Sequence, residues 1–144
     1  MICNISYNDR ELKEKVREAV GPPFSWKERY RMGGNGSPRF VITEASKPIA
    51  DLLERDNRIN YCNIELRGNG IIVGFRAILE TYGWIIPWQK LTLFKSDNHY
   101  TIYAGEDHIR IDNSRNAKNN GKFFNKLISL KSKKVSETSL HYWH

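Results

Sequence analysis

The chain has 144 residues, 40% hydrophobic and 12% aromatic, and a formal charge of +7. That much apolar surface offsets the entropy of ordering over most of the length, which excludes an intrinsically disordered chain, and the size suits one core. Residues 1–15 lack the apolar run of a signal peptide and no later run reaches the roughly 18 residues that span a bilayer, so the expectation is a cytoplasmic protein without a membrane span.

In NDRELKEKVREAV, Leu12, Val16 and Ala19 or Val20 recur at helical spacing, and Asn8 with Glu11 has the spacing of a capping box. A short amphipathic helix is predicted, ended by Gly21, Pro22 and Pro23. In FSWKERYRM, Phe24, Trp26, Glu28 and Tyr30 alternate with Ser25, Lys27, Arg29 and Arg31, which predicts a strand with one basic face. The glycines of residues 33–38 predict a mobile loop. RFVIT reads as a strand, and Ser46 opens a helix running through Pro48 to about residue 55, with Ile49, Leu52 and Leu53 facing inward.

From residue 60 the period becomes two. In YCNIELRGNGIIVGFRA, Asn69-Gly70 sits between alternating runs, the signature of a type I′ hairpin turn, which needs positive φ at both central residues. That turn pairs Leu66 with Val73, Ile64 with Phe75 and Cys62 with Ala77 on one face, leaving Arg67, Glu65, Asn63 and Arg76 on the other. In ETYGWIIPWQKL, Tyr82, Trp84 and Ile86 form the next strand, with Trp84 and Ile86 assigned to the core; Pro87 interrupts the ladder. Trp88 and Lys90 follow that interruption and are the candidate protein-binding rim, an exposed aromatic beside a cation. Three more strands are predicted at residues 90–95, 99–104 and 108–111, joined by Ser96-Asp97-Asn98 and Gly105-Glu106-Asp107.

Helical chemistry returns in NSRNAKNNGKFFNKLISLKSKK, with Asn113 or Ser114 as cap and Ala117, Phe124, Leu127 and Ile128 on or near one face. Gly121 weakens its middle, so a well-formed helix is expected only from Lys122. The charge concentrates here: residues 113–144 hold 7 Lys/Arg against 1 Asp/Glu, whereas residues 1–60 hold 11 against 9 and residues 61–112 hold 5 against 6. Such a block attracts polyanions, nucleic acid or anionic lipid. Lys118, Lys122, Lys126, Lys131, Lys133 and Lys134 are the candidate anion-binding set, with Arg115 and with Lys27, Arg29 and Arg31 in support; Lys118, Lys122 and Lys126 form an outward row at i, i+4 spacing. Residues 1–130 are read as one domain and 131–144 as a basic, then polar, tail.

About seven short antiparallel strands followed by one amphipathic helix, with an added N-terminal helix, make an α+β plan. The run IELRGNGIIVGFRAILETYGWIIPWQKLTLFKSDNHYTIYAGEDHIRI, with its pattern at Tyr82 to Pro87, resembles the strand core of small bacterial proteins with a pleckstrin-homology (PH)-like fold. The resemblance covers roughly residues 38–130. It implies a bent sheet or open barrel whose end is plugged by the C-terminal helix. The basic hairpin with which phosphoinositide-binding relatives hold their ligand is absent, since Arg67 and Arg76 have Glu65 between them.

No catalytic constellation is visible. His99, His108, His141 and His144 lie in no metal or nucleophile motif, and Cys3 and Cys62 have no partner spacing, so no metal or other cofactor is expected and both cysteines read as small apolar residues. The leading expectation is a non-enzymatic interaction module for a protein or peptide, with polyanion binding through the basic C-terminus as the alternative. An uncovered edge strand leaves room for a homodimer.

Overall fold

The computed structural model describes residues 1–54 and 59–142, and of residues 137–142 only the backbone. Eight antiparallel strands form one open sheet: β1 (Ile2–Asn4), β2 (Phe40–Ala45), β3 (Tyr61–Arg67), β4 (Gly70–Ala77), β5 (Glu80–Pro87), β6 (Thr92–Lys95), β7 (His99–Ala104) and β8 (Asp107–Asp112), in the order β1-β5-β4-β3-β2-β8-β7-β6. β1 is an addition to the seven expected strands. It pairs Ile2 with Trp84 and Asn4 with Tyr82 on the edge of β5.

The sheet bends at β2. Phe40 and Val41 pair with β3, Ile42 to Ala45 pair with β8, and the register shifts between Ile42 and Glu44. Such a bulge bends a strand and increases its twist, so one strand can serve both halves of the sheet. The main core fills the bend. Ile64, Leu66, Ile71, Val73, Trp84 and Ile86 come from one half and Tyr100, Ile102, Ile109 and Ile111 from the other.

The C-terminal helix α4 (Ala117–Tyr142) covers this core with Phe123, Phe124 and Leu127. Phe124 stacks on Tyr100 at 3.9 Å and on Phe40 at 5.5 Å between ring centroids. The helix begins before Gly121, not at Lys122, and continues unbroken through the segment read as a tail. Ala117 is exposed and Ile128 is 46% exposed, so neither belongs to the buried face. Asn113 does not cap the helix; its side chain is buried and accepts a hydrogen bond from Asn120 Nδ2 at 3.0 Å. Asn120 Nδ2 also donates to Arg115 O at 3.1 Å, which ties the first turn to the segment before it.

A smaller core lies on the opposite face of the sheet. Helix α1 (Arg10–Val20) sets Val16 and Val20 against Ile85, with Cys3, Leu12, Ala19 and Ile72 around them. Its N-cap is Asp9, one residue after the predicted Asn8; Asp9 Oδ1 accepts from the amides of Glu11 and Leu12. Helix α3 (Lys47–Leu53) follows Ser46 as predicted, with Ile49 and Leu53 buried and Leu52 half-buried; its expected end near residue 55 lies outside the described residues.

Residues 26–32 are a helix, α2 (Trp26–Met32), and not the predicted strand. Ser25 Oγ accepts from the Glu28 amide and a Glu28 carboxylate oxygen accepts from the Ser25 amide, a reciprocal cap that alternation of residue types conceals. Gly33, at φ 75°, ends the helix in the left-handed conformation. Residues 33–38 then lie against β3: the Leu66 amide donates to Asn35 O at 2.7 Å and the Ile64 amide to Ser37 Oγ at 2.8 Å.

The β3–β4 hairpin has the predicted faces but a register displaced by two residues. Leu66 pairs with Ile71, Ile64 with Val73 and Cys62 with Phe75, so the turn is Gly68-Asn69. Neither those residues nor Gly70 has positive φ, and the type I′ expectation is corrected. A displacement of two keeps every side chain on its face, which is why the burial pattern was legible although the partners were not.

Both cysteines are free. Burial pushes the Cys62 thiol from its ordinary 9.0 up to about 12, and burial also raises Cys3, which is only half-buried. Because the folded value of Cys62 is raised, this thiol leaves stability unchanged below pH 9.0 and lowers it as pH climbs toward about 12, where the unfolded chain loses its proton first. At pH 8 iodoacetamide is expected to modify Cys3 before Cys62, and Cys62 only after denaturant is added. Peptide mass spectrometry reads the two rates, and equal rates in the folded protein would contradict this burial.

Candidate polyanion-binding face

Helix α2 has no buried residue; its segment is held by Phe24 and Met32, which pack on the edge of the main core. The rest of its surface faces solvent. Trp26 is 69% and Tyr30 86% exposed, and at i, i+4 spacing they lie one turn apart on one face. Lys27 and Arg31 share the same spacing beside them, with Arg29 also exposed. The Lys27 ammonium lies 5.9 Å from the Trp26 ring, within reach of a cation–π contact. Glu28 is the helix's acidic residue, and hydrogen bonding from Ser25, its backbone amide first, holds the Glu28 carboxyl below the ordinary range.

A side chain of helix α4 reaches the end of α2. Lys126 Nζ donates to Gly34 O at 3.0 Å and Gly33 O at 3.4 Å, the carbonyls that follow the C-terminus of α2, where a cation complements the helix dipole. Lys122 and Lys118 are exposed one and two turns earlier on α4. Lys126 thus ties α4 to the residues that follow α2.

The six predicted anion-binding lysines divide. Lys118, Lys122, Lys133 and Lys134 are exposed. Lys126 and Lys131 are half-buried and spend their ammonium groups on backbone carbonyls, Lys131 on Leu91 O. Loss of solvent holds Lys131 below the ordinary lysine range. These two join α4 to its neighbours. Arg115 is exposed at the start of the helix.

The protein-binding rim requires correction at Trp88. This residue is 1% exposed, and its Nε1 donates to Gly68 O at 2.9 Å. After Pro87 the chain makes a 3₁₀ turn, Trp88–Lys90, that rolls the indole under the β3–β4 turn and leaves Gln89 and Lys90 exposed. Lys90 stands there without the exposed aromatic neighbour expected for it.

Trp26 and Tyr30 are the residues that sequence reasoning overlooked. Their signal was the Ser25-x-x-Glu28 spacing: once α2 is a helix, the alternating aromatics of a strand become an exposed pair at helical spacing. Among the described residues no three His, Cys, Asp or Glu side chains gather as a metal site, and no helix is long and apolar enough to cross a membrane. Compared with known proteins, the chain matches no protein family, no curated sequence and no solved structure.

Proposed function

We propose that the chain is a PH-like, non-enzymatic binding module that holds single-stranded nucleic acid on the α2–α4 face. Support for the PH-like reading is the succession of seven antiparallel strands, β2 to β8, closed over by a C-terminal helix whose phenylalanines plug the bend of the sheet. One observation carries the ligand: Trp26 and Tyr30 stand exposed and one turn apart among Lys27, Arg29 and Arg31, joined through Lys126 to the row of Lys118 and Lys122. Unstacked bases bind aromatic faces without regard to sequence, while cations beside them follow the phosphates. Burial of Trp88 removes the aromatic rim on which a protein partner was expected to dock.

The test is fluorescence anisotropy of a labelled oligothymidine at several salt concentrations. Replacing both Trp26 and Tyr30 by Ala is expected to weaken binding by about ten-fold or more, since each stacked base contributes roughly 1–3 kcal/mol. Lys118→Gln with Lys122→Gln is expected to flatten the logarithmic salt slope by about 1.4, the value for two lost phosphate contacts on a single strand. Salt-independent affinity, or binding that survives loss of both aromatics, would sink the proposal. Binding to anionic vesicles with none to the oligonucleotide would replace nucleic acid with a lipid surface.

A further inference from the structure

A cleft of about 840 Å³ opens on the opposite side of the sheet from the main core, between α1 with the segment leading into it and the outer face of β3 to β5. Its floor is apolar. Ile72 and Ile85 are direct cross-strand partners in β4 and β5, and Leu12 and Val16 of α1, with Ile5, complete the lining. The lip is cationic, because Arg10, Lys13 and Arg17 recur at i, i+3 and i+7 along α1 beside its apolar stripe.

The charges at this lip are not equally available. Asp9 is spent on the helix N-cap, and Glu65 pairs with Arg67, whose guanidinium also donates to Gly21 O at 2.8 Å. Lys13 donates to the neutral Asn8 side chain. Arg10 and Arg17 have no partner among the described residues, and Glu14 is the one lining acid not engaged elsewhere. An apolar trough of this size with a few convergent polar groups is the usual form of a small-molecule site. Here the unspent charge is positive and lies along one wall.

We propose that this cleft binds a single-chain amphiphile with a small anionic head, a fatty carboxylate. The alkyl chain lies on Ile5, Leu12 and Ile72, the apolar lining residues that keep accessible surface over the buried Val16 and Ile85, and the carboxylate meets Arg17 and Lys13 at the lip. The site is separate from the α2–α4 face and does not depend on the reading given to it.

The experiment titrates the full chain with dansylated undecanoate below its micelle concentration and follows dansyl emission, with dodecanoate and dodecanol as competitors. The expected result is saturation at one equivalent, with dodecanoate displacing the probe at lower concentration than dodecanol. Lys13→Ala with Arg17→Ala, both exposed positions, is expected to weaken dodecanoate by about ten-fold and leave dodecanol unchanged, as loss of charge-assisted hydrogen bonds requires. Ile72→Trp is expected to abolish capture of either competitor by filling the trough. No saturable binding, equal competition by acid and alcohol, or full dodecanoate affinity in the double variant would overturn the proposal.

Discussion

Trp88→Ala is expected to lower the unfolding free energy by about 3–5 kcal/mol, the range for truncating a buried tryptophan. The indole is 1% exposed and belongs to the main core, so its removal leaves a cavity bounded by strands that cannot close on it without moving. Its Nε1 also satisfies Gly68 O at 2.9 Å, and its amide donates to Asn69 O at 3.0 Å. The side chain therefore fastens the β3–β4 turn to the end of β5. Trp88→Phe keeps most of the volume and drops that indole bond, at an expected cost of about 1–3 kcal/mol for the exposed or unsatisfied carbonyl. Lys90→Ala, two residues on and exposed, is expected to stay within about 0.5 kcal/mol. Urea denaturation followed by circular dichroism, comparing midpoints at constant m, measures all three. A loss below about 0.5 kcal/mol for Trp88→Ala, the ordinary range of a surface change, would return this residue to the rim.

The contrast between Trp88 and Trp26 shows which parts of the molecule could be read from the chain. Alternation over residues 61–111 revealed the strands there most directly at β3 and β4, where burial itself follows period two, although β5 and β7 bury consecutive residues. The same reasoning failed at residues 24–32, where Phe24, Trp26, Glu28 and Tyr30 alternate without a buried face behind them. In α2 the local cap between Ser25 and Glu28 decides the conformation, and the aromatics remain in solvent. Trp88 was misplaced for the complementary reason. Its burial depends on a 3₁₀ turn after Pro87 and on a carbonyl twenty residues away, neither of which has a local pattern. Of the candidate site, the exposure of Lys118 and Lys122 was legible from spacing, whereas Lys126, expected to point outward with them, is half-buried. The junction with α2 was not legible, since Lys126 meets Gly33 and Gly34 across more than ninety residues of chain.

Gly70→Ala is expected to destabilise the protein by about 3 kcal/mol, the upper end of the overpacking range, which for a chain of this length corresponds to a fall of roughly 10 °C in melting temperature. A Cβ at this position would stand 2.2 Å from Ile86 O, 2.7 Å from Val20 Cγ1 and 2.8 Å from Pro87 Cα. Two of those neighbours are backbone of the adjoining strand, so no side-chain rotation relieves the contact; β4 and β5 must separate at Gly70–Pro87, the last pair of their ladder. The residue read as half of a turn signal is thus required for close approach of chains, and its φ is not positive. Val20 connects the clash to α1, because Val20 O accepts the Asn69 amide at 2.9 Å and its side chain lies in the smaller core. Hydrogen exchange at Asn69 should therefore accelerate in the variant along with the loss of melting temperature. Gly121→Ala is the control: nothing lies within 4 Å of its added Cβ, and the α4 interior favours alanine by up to about 1 kcal/mol, so this change is expected to raise the melting temperature. Calorimetry of the two variants distinguishes the roles of these glycines, and an unchanged transition for Gly70→Ala would show that β4 and β5 do not meet as closely as Ile86 O and Gly70 are placed.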